Sequence, residues 1–171
     1  MELLEQASVS ELTVRAVAAR ANISERTVFR YFATREDFLD TVAANVIRKL
    51  DMPPPPASIE ELIAMPDQLY RSFEAKANLT KAALHSELFD RIRTAPAQQR
   101  WVAIAKLIDR HAPRCGERHR KLAAANIRFF LSATTWHYYR FYFGFNLADT
   151  IECAQTAIRQ ALAGLGTPSS P

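Results

Sequence analysis

Residues 12–39 read LTVRAVAARANISERTVFRYFATREDFL, and this stretch decides the fold. Apolar side chains at Val14, Val17, Ala18 and Ala21 recur at three- and four-residue steps, as do Val28, Phe29 and Phe32. Phe38, Leu39, Val42, Val46 and Leu50 continue the pattern in a third, longer run; this is the spacing of one face of an α-helix. A hydroxyl residue precedes each run. Thr13, Ser24 and Thr34 stand where an N-cap oxygen accepts from the free amides of the first helical turn. Only Ala21-Asn22-Ile23-Ser24 separates the first helix from the second, so the two must cross sharply, and Asn22 tolerates the left-handed backbone that such a turn needs. The expected unit is a helix-turn-helix. Its second helix, Glu25–Phe32, is too short to be stable alone. Val28, Phe29 and Phe32 are therefore expected on the core, with Glu25, Arg26, Thr27 and Arg30 projecting outward as candidates to reach base edges in a major groove.

Charge follows the same division. The chain carries a net +4, too little to attract a polyanion over its whole surface. Residues 13–35, however, hold five arginines against the single acid Glu25, which concentrates positive charge where a duplex would lie. Arginine is the side chain suited to bidentate contact with guanine O6 and N7. Upstream, Leu3, Leu4 and Ala7 read as the last turns of a preceding helix.

The stretch Leu12–Leu39 closely resembles the DNA-binding motif of the TetR (tetracycline repressor) family of transcriptional regulators. That resemblance implies an all-α homodimer: a three-helix DNA-binding head, a linking fourth helix, and a variable helical domain that binds a small molecule and dimerises. It places Glu25, Arg26, Thr27 and Arg30 on the recognition helix, and Thr13, Tyr31 and Arg35 at positions that meet phosphates; Ser24, at the start of the same helix, is a further phosphate candidate. Asn22 stands in place of the usual turn glycine, and Arg35 where lysine is common. The resemblance also leads one to expect a first helix extending upstream of Met1.

Outward from this motif, the chain's 171 residues are 49% apolar and 23% charged, the composition of a folded globular protein. Only four glycines occur, which disfavours turn-rich sheets and glycine-rich phosphate loops. Met52-Pro53-Pro54-Pro55-Pro56 cannot continue a helix and must run extended. The expected division is thus a head and linking helix over residues 1–50, a proline-rich linker over 51–57, and a helical effector-binding and dimerisation domain over 58–171. Ser58-Ile59-Glu60-Glu61 reads as a capping box opening a stripe of Leu62, Leu69, Tyr70, Phe73 and Ala77, interrupted only by Pro66. Leu84, Leu88 and Ile92 follow, closed by Ala95-Pro96, and then Trp101, Ile104, Ala105 and Ile108, closed by Pro113 and Gly116. A long helix is expected from Glu117 to about Phe143, ending at Gly144. The last runs from Asn146 to Leu165. No alternating strand pattern occurs.

Nine of the 17 aromatic residues fall between Phe129 and Phe145, too many for one buried stripe. Two apolar faces are implied, one inward and one toward a second subunit. Tyr139, Phe143, Ala154, Ile158, Ala161 and Leu165 are the expected dimer residues. An effector pocket is expected among Tyr70, Phe73, Leu84, His85, Phe89, Trp101, Ile104 and Trp136, mostly apolar with a few polar handles. His111, Cys115 and His119 recur at four-residue steps, but Pro113 and Gly116 break the helix that would align them, and five basic neighbours repel a cation, so no metal is expected. No nucleophile–base pair or phosphate loop appears, and neither catalysis nor a cofactor is expected. Cys115 and Cys153 are too few to staple the domain, and no leader or 18-residue apolar run is present; a cytoplasmic protein without a membrane partner is expected. The functional reading is a ligand-responsive, dimeric regulator, a repressor released by a small-molecule effector from a near-palindromic stretch of double-stranded DNA. The alternative is a helical sensor or interaction protein without DNA binding.

Overall fold

The computed structural model describes residues 14–85 and 88–166, and among these the secondary structure is helical, without strands. The elements are α1 (Val14–Arg20), α2 (Glu25–Tyr31), α3 (Arg35–Leu50), α4 (Ile59–Ala75), α5 (Ala77–Leu84), α6 (Phe89–His111), α7 (Glu117–Phe130), α8 (Ala133–His137), a π-helical turn (Tyr138–Tyr142) and α9 (Leu147–Ala163). They divide into two compact units. One takes the chain up to Met52 together with Lys76–Ala95; the other takes Pro53–Ala75 and the chain from Pro96 onward. The boundary after Met52 falls in the proline tract. The inclusion of Lys76–Ala95 in the N-terminal unit is a difference from a division by sequence at residues 51–57.

The N-terminal unit is built around the apolar face of α3. Phe38, Leu39, Ala43, Val46 and Leu50 are buried, together with Ala18 of α1, Val28 of α2, Leu79, Ala82 and Ala83 of α5, and Leu88. Thr34 starts α3 with a reciprocal cap: its Oγ1 accepts from the Asp37 amide at 3.1 Å, and Asp37 Oδ2 accepts from the Thr34 amide at 3.0 Å. Asp51, at φ 47°, ends the helix in the left-handed region two residues before Pro53. Arg91 of α6 donates to both Glu36 and Asp40 of α3, tying residues more than fifty positions apart within this unit.

In the other unit α9 packs against α4 and α7. Trp136, Tyr70, Phe73, Leu62, Leu69, Ile104, Ile108, Ile127, Leu131 and Ile158 are its largest fully buried side chains. Asn146 caps α9, its Oδ1 accepting from the Asp149 amide at 2.9 Å. Gly144 precedes it at φ 73°, the positive value expected of a residue that ends the aromatic segment.

Four expectations about helix ends need correction. The stripe beginning at Ser58 stops at Ala75, because Lys76 leaves the helical region, and Ala77 opens α5. Ser58 accepts from the Glu61 amide as expected, but the Glu61 carboxylate returns to the amide of Ala57, not of Ser58. Ala95-Pro96 does not close a helix: α6 continues through Pro96 to His111. Burial of Leu88 before the proline, and of Ile104, Leu107 and Ile108 after it, outweighs the one hydrogen bond that proline removes. The helix expected from Glu117 to Phe143 is broken at Leu131. Ser132 takes an extended conformation, and its Oγ accepts from the Thr135 amide, starting a new helix.

A candidate nucleic-acid interface on the N-terminal unit

The turn between α1 and α2 is closed by the backbone itself. The Ile23 amide donates to the Ala18 carbonyl at 3.0 Å and the Asn22 amide to the Ala19 carbonyl at 3.2 Å, the paired bonds of a Schellman motif. That motif needs a left-handed residue between them, and Asn22 sits there at φ 54°. The chain then reverses into α2, whose start Ser24 fixes: its Oγ accepts from the Thr27 amide at 3.1 Å. The acid Glu25 in the first turn and Arg30 in the last both complement the helix dipole.

Val28 is the residue of α2 that is buried, and the half-buried Phe32 behind it meets Phe38 edge-on with ring centroids 5.4 Å apart. Val28 and Phe32 are four positions apart and share one face. Phe29 is turned about 100° from Val28 and is 47% exposed, so its expected place in the core is corrected to the surface. Glu25, Arg26 and Arg30 are exposed, as the outward face requires. Thr27 is half-buried, and its hydroxyl lies 2.9 Å from Ser24 Oγ, so these two side chains also hold each other. Tyr31 is 71% exposed, with the Arg30 guanidinium 5.5 Å from its ring centroid. An exposed phenol and a stacked guanidinium at the end of a short helix present donors outward, as phosphate contact requires. Arg35 opens α3 on the exposed side. Thr13 lies outside the described residues, as do Leu3, Leu4 and Ala7.

The residues expected to line an effector pocket are divided between the two units. Tyr70, Phe73, Ile104 and Trp136 are buried in the core of the C-terminal unit, with Phe73 and Trp136 ring centroids 5.8 Å apart, and Trp101 is half-buried. Leu84, His85 and Phe89 belong to the N-terminal unit. An open cleft of about 570 Å³ lies elsewhere in the C-terminal unit, between the His111–Gly116 loop and the end of α9, and it includes Leu165 but none of those eight residues. Among the expected dimer residues, Ala154, Ile158 and Leu165 are buried within the chain's own unit and present no free face; Tyr139, Phe143 and Ala161 keep exposed surface. The correction has a simple cause: α9 spends its small and branched residues on packing against α4 and α7. Among the described residues no three His, Cys, Asp or Glu side chains are grouped to hold a metal, and no helix is long and apolar enough to cross a membrane.

One polar side chain escaped the periodicity argument. Trp101, Ile104, Ala105 and Ile108 read as the buried stripe of α6, but beside the half-buried Trp101 the buried residue is Arg100, which is 5% exposed and shares a face with Ile104, Leu107 and Ile108. The cue was available in the i, i+4, i+7, i+8 spacing from residue 100, which a search for apolar residues passes over.

Residues 1–42 match the family model described as "Bacterial regulatory proteins, tetR family". No curated protein and no solved structure matches the chain. The matched segment contains α1, the Asn22 turn and α2, and extends into α3. This helix-turn-helix region is thus similar to the N-terminal DNA-binding region of the tetR family of bacterial regulatory proteins, a likeness that supports a DNA-binding transcriptional regulator.

Proposed function

We propose that this chain is a DNA-binding transcriptional regulator of the TetR family and a ligand-responsive repressor, which binds a near-palindromic operator as a homodimer and is released by a small-molecule effector held in its C-terminal unit. The observation that carries the reading is the outer face of α2, where Glu25, Arg26 and Arg30 stand exposed while Val28 anchors the helix. In this reading Glu25, Arg26, Thr27 and Arg30 read base edges, and Thr13, Ser24, Tyr31 and Arg35 fix the register on the phosphates. Two such helices in one dimer would enter successive major grooves, so the operator would mirror their twofold symmetry.

Homodimerisation draws support from the aromatic segment. Phe129, Tyr138, Phe141, Tyr142 and Phe143 are all at least 45% exposed, and Tyr138 and Tyr142 stack at 4.6 Å. Contiguous exposed aromatics of this kind favour a protein contact. Effector control requires only a modest coupling, about 1–3 kcal/mol, for a 5- to 150-fold change in DNA affinity. A cytoplasmic site of action accords with the reading.

The test is selection from random-sequence duplexes by the purified full-length protein near physiological salt, with sequencing of the retained pool. Enrichment of an inverted repeat is the expected result. Retention without enrichment, by protein shown to be folded, would overturn base-specific recognition.

A further inference from the structure

The cleft of about 570 Å³ in the C-terminal unit lies where the end of α6, the loop before α7 and the end of α9 come together. On the loop side, the Cys115 amide donates to the Ala112 carbonyl at 3.0 Å and closes a turn with Pro113 in its second position, where the proline ring sets the backbone. Arg120 of α7 pins the same loop: its Nε donates to Asp109 Oδ1 at 2.7 Å, and its Nη1 to the Cys115 carbonyl. On the other side, the Leu165 amide donates to the Leu162 carbonyl and the Gly166 amide to the Ala163 carbonyl, each at 3.1 Å. Each wall is thus held by bonds of its own, and the space between them is already open. Its volume falls within the range of small-molecule sites, about 300–1,000 Å³.

The lining combines apolar surface with charge of one sign. Pro113, Leu162, Ala163 and Leu165 border the cleft, no carboxylate does, and Arg114 follows Pro113 in the turn. Arg114 is exposed and, unlike Arg120, is paired with no acid among the described residues. His111 also borders the cleft, but Glu60 at the start of α4 already feels its charge, which leaves Arg114 as the cation open to a ligand. A loop arginine that served only to solvate the chain would need no apolar wall opposite it.

We propose that this cleft binds a small organic acid, its carboxylate on Arg114 and its apolar body between Pro113 and the end of α9. A planar guanidinium takes a carboxylate through two parallel, charge-assisted hydrogen bonds. Burial of the apolar body against Leu162, Ala163 and Leu165 favours such an acid over a bare inorganic anion. A phosphate dianion is a poorer match, since it calls for more than the one open cation of this lining. The assignment of the acid as the effector rests on the repressor reading above; the binding itself does not.

The experiment is thermal unfolding and calorimetric titration of the full chain, without DNA, using benzoate and octanoate against benzamide and octanamide at matched ionic strength. The acids are expected to bind saturably and raise the melting temperature, and the amides to leave it unchanged. Arg114→Gln should weaken acid binding roughly 10- to 100-fold, the loss of a hydrogen bond to a charged group. Ala163→Phe, which fills part of the cleft from an exposed position, should abolish it. Arg159→Gln removes an exposed cation of α9 outside the cleft and should leave acid binding unchanged. Absence of saturable binding by either acid, equal responses to acids and amides, or undiminished binding by Arg114→Gln would overturn the proposal. So would an equal loss in Arg159→Gln, which would mark a general attraction of anions. Should Arg114→Gln fail to fold, undiminished acid binding by Ala163→Phe overturns it in the same way. Adding the acids to the protein bound to its selected operator separates the two claims. Acid binding without DNA release supports the site and overturns its role as effector site, whereas failure to select any operator counts against the repressor reading alone.

Discussion

The indole N–H of Trp136 donates to Glu74 Oε2 at 3.0 Å, joining α8 to α4 across 62 residues of sequence. The same carboxylate accepts from Arg140 Nε at 3.0 Å and Nη2 at 2.5 Å, so one acid satisfies the largest buried side chain of the unit and the cation of the π-helical turn. Glu74 and Arg140 keep 29% and 21% of their side-chain surface, which moderates the pair's worth. Removing the acid nevertheless leaves a buried indole donor without its partner. Glu74→Ala should lower the free energy of unfolding by about 1–3 kcal/mol. In urea melts, the Glu74→Ala and Trp136→Phe effects should be non-additive; simple additivity would show that the two groups do not act together.

The turn at Asn22 yields a second expectation. A left-handed residue is required between the Asn22→Ala19 and Ile23→Ala18 hydrogen bonds, and asparagine fills it at φ 54°. Glycine enters that region without a Cβ penalty, so Asn22→Gly should be as stable as the parent or slightly more so. Asn22→Val should cost about 1–2 kcal/mol, since a β-branched side chain is strained there. Circular-dichroism melts of the two variants decide the matter: similar midpoints would mean that the turn relaxes to another geometry.

The parts of the fold that were legible in the sequence are those where one local force dominates. Ser24, Thr34 and Asn146 cap helices because a short oxygen side chain competes effectively for a free first-turn amide. Asn22 and Gly144 adopt positive φ because few other residues do so at low cost. The misread positions are those where tertiary burial outweighs local preference. Pro96 lies inside a 23-residue helix whose flanks are packed, and Ser132 breaks a segment free of proline and glycine by bonding to Thr135. The outward face of α2 was legible because Glu25, Arg26 and Arg30 alternate with Val28 at helical spacing. The pocket was not, since an aromatic stripe has the same periodicity whether it lines a cavity or fills a core, and here Tyr70, Phe73 and Trp136 fill the core.

Tyr70 supplies a pH dependence. Its hydroxyl donates to the Phe130 carbonyl at 2.5 Å, and burial, with smaller contributions from Tyr139 and Cys153, raises its pKa well above the usual tyrosine value. Below about pH 10 both folded and unfolded chains keep this proton. Above it the unfolded chain releases a proton that the folded chain retains, so the native state binds more protons and stability falls as pH rises. Tyr70→Phe should therefore cost about 1 kcal/mol at neutral pH through the lost hydrogen bond, yet show a shallower decline above pH 10. Arg100 acts in the opposite sense. Its lowered pKa lets the folded chain lose a proton first above about 10, and Arg100→Gln should steepen the alkaline decline. Identical alkaline slopes for Tyr70→Phe and the parent in pH-resolved urea titrations would remove Tyr70 as the cause.

The sharpest contrast lies between adjacent residues of α2. Arg30 is exposed on the face expected to meet base edges, while the next residue, Tyr31, projects a phenol from the end of the helix with 71% of its surface open. If Arg30 reads a base, Arg30→Ala should weaken binding to the selected operator by about 1–3 kcal/mol, leave random duplex much less affected, and relax preference at one position in each half-site. If Tyr31 donates to a phosphate, Tyr31→Phe should weaken specific and random duplexes by similar factors. Because a tyrosine hydroxyl is neutral, its removal should leave the salt dependence nearly intact, whereas loss of an arginine–phosphate contact would reduce the slope. Competition binding at two salt concentrations, with operator and random duplex in parallel, measures all of these quantities. Equal losses on both duplexes for Arg30→Ala, together with a reduced salt slope, would move Arg30 from the base-reading set to the phosphate set and leave Glu25 and Arg26 as the exposed candidates for specificity.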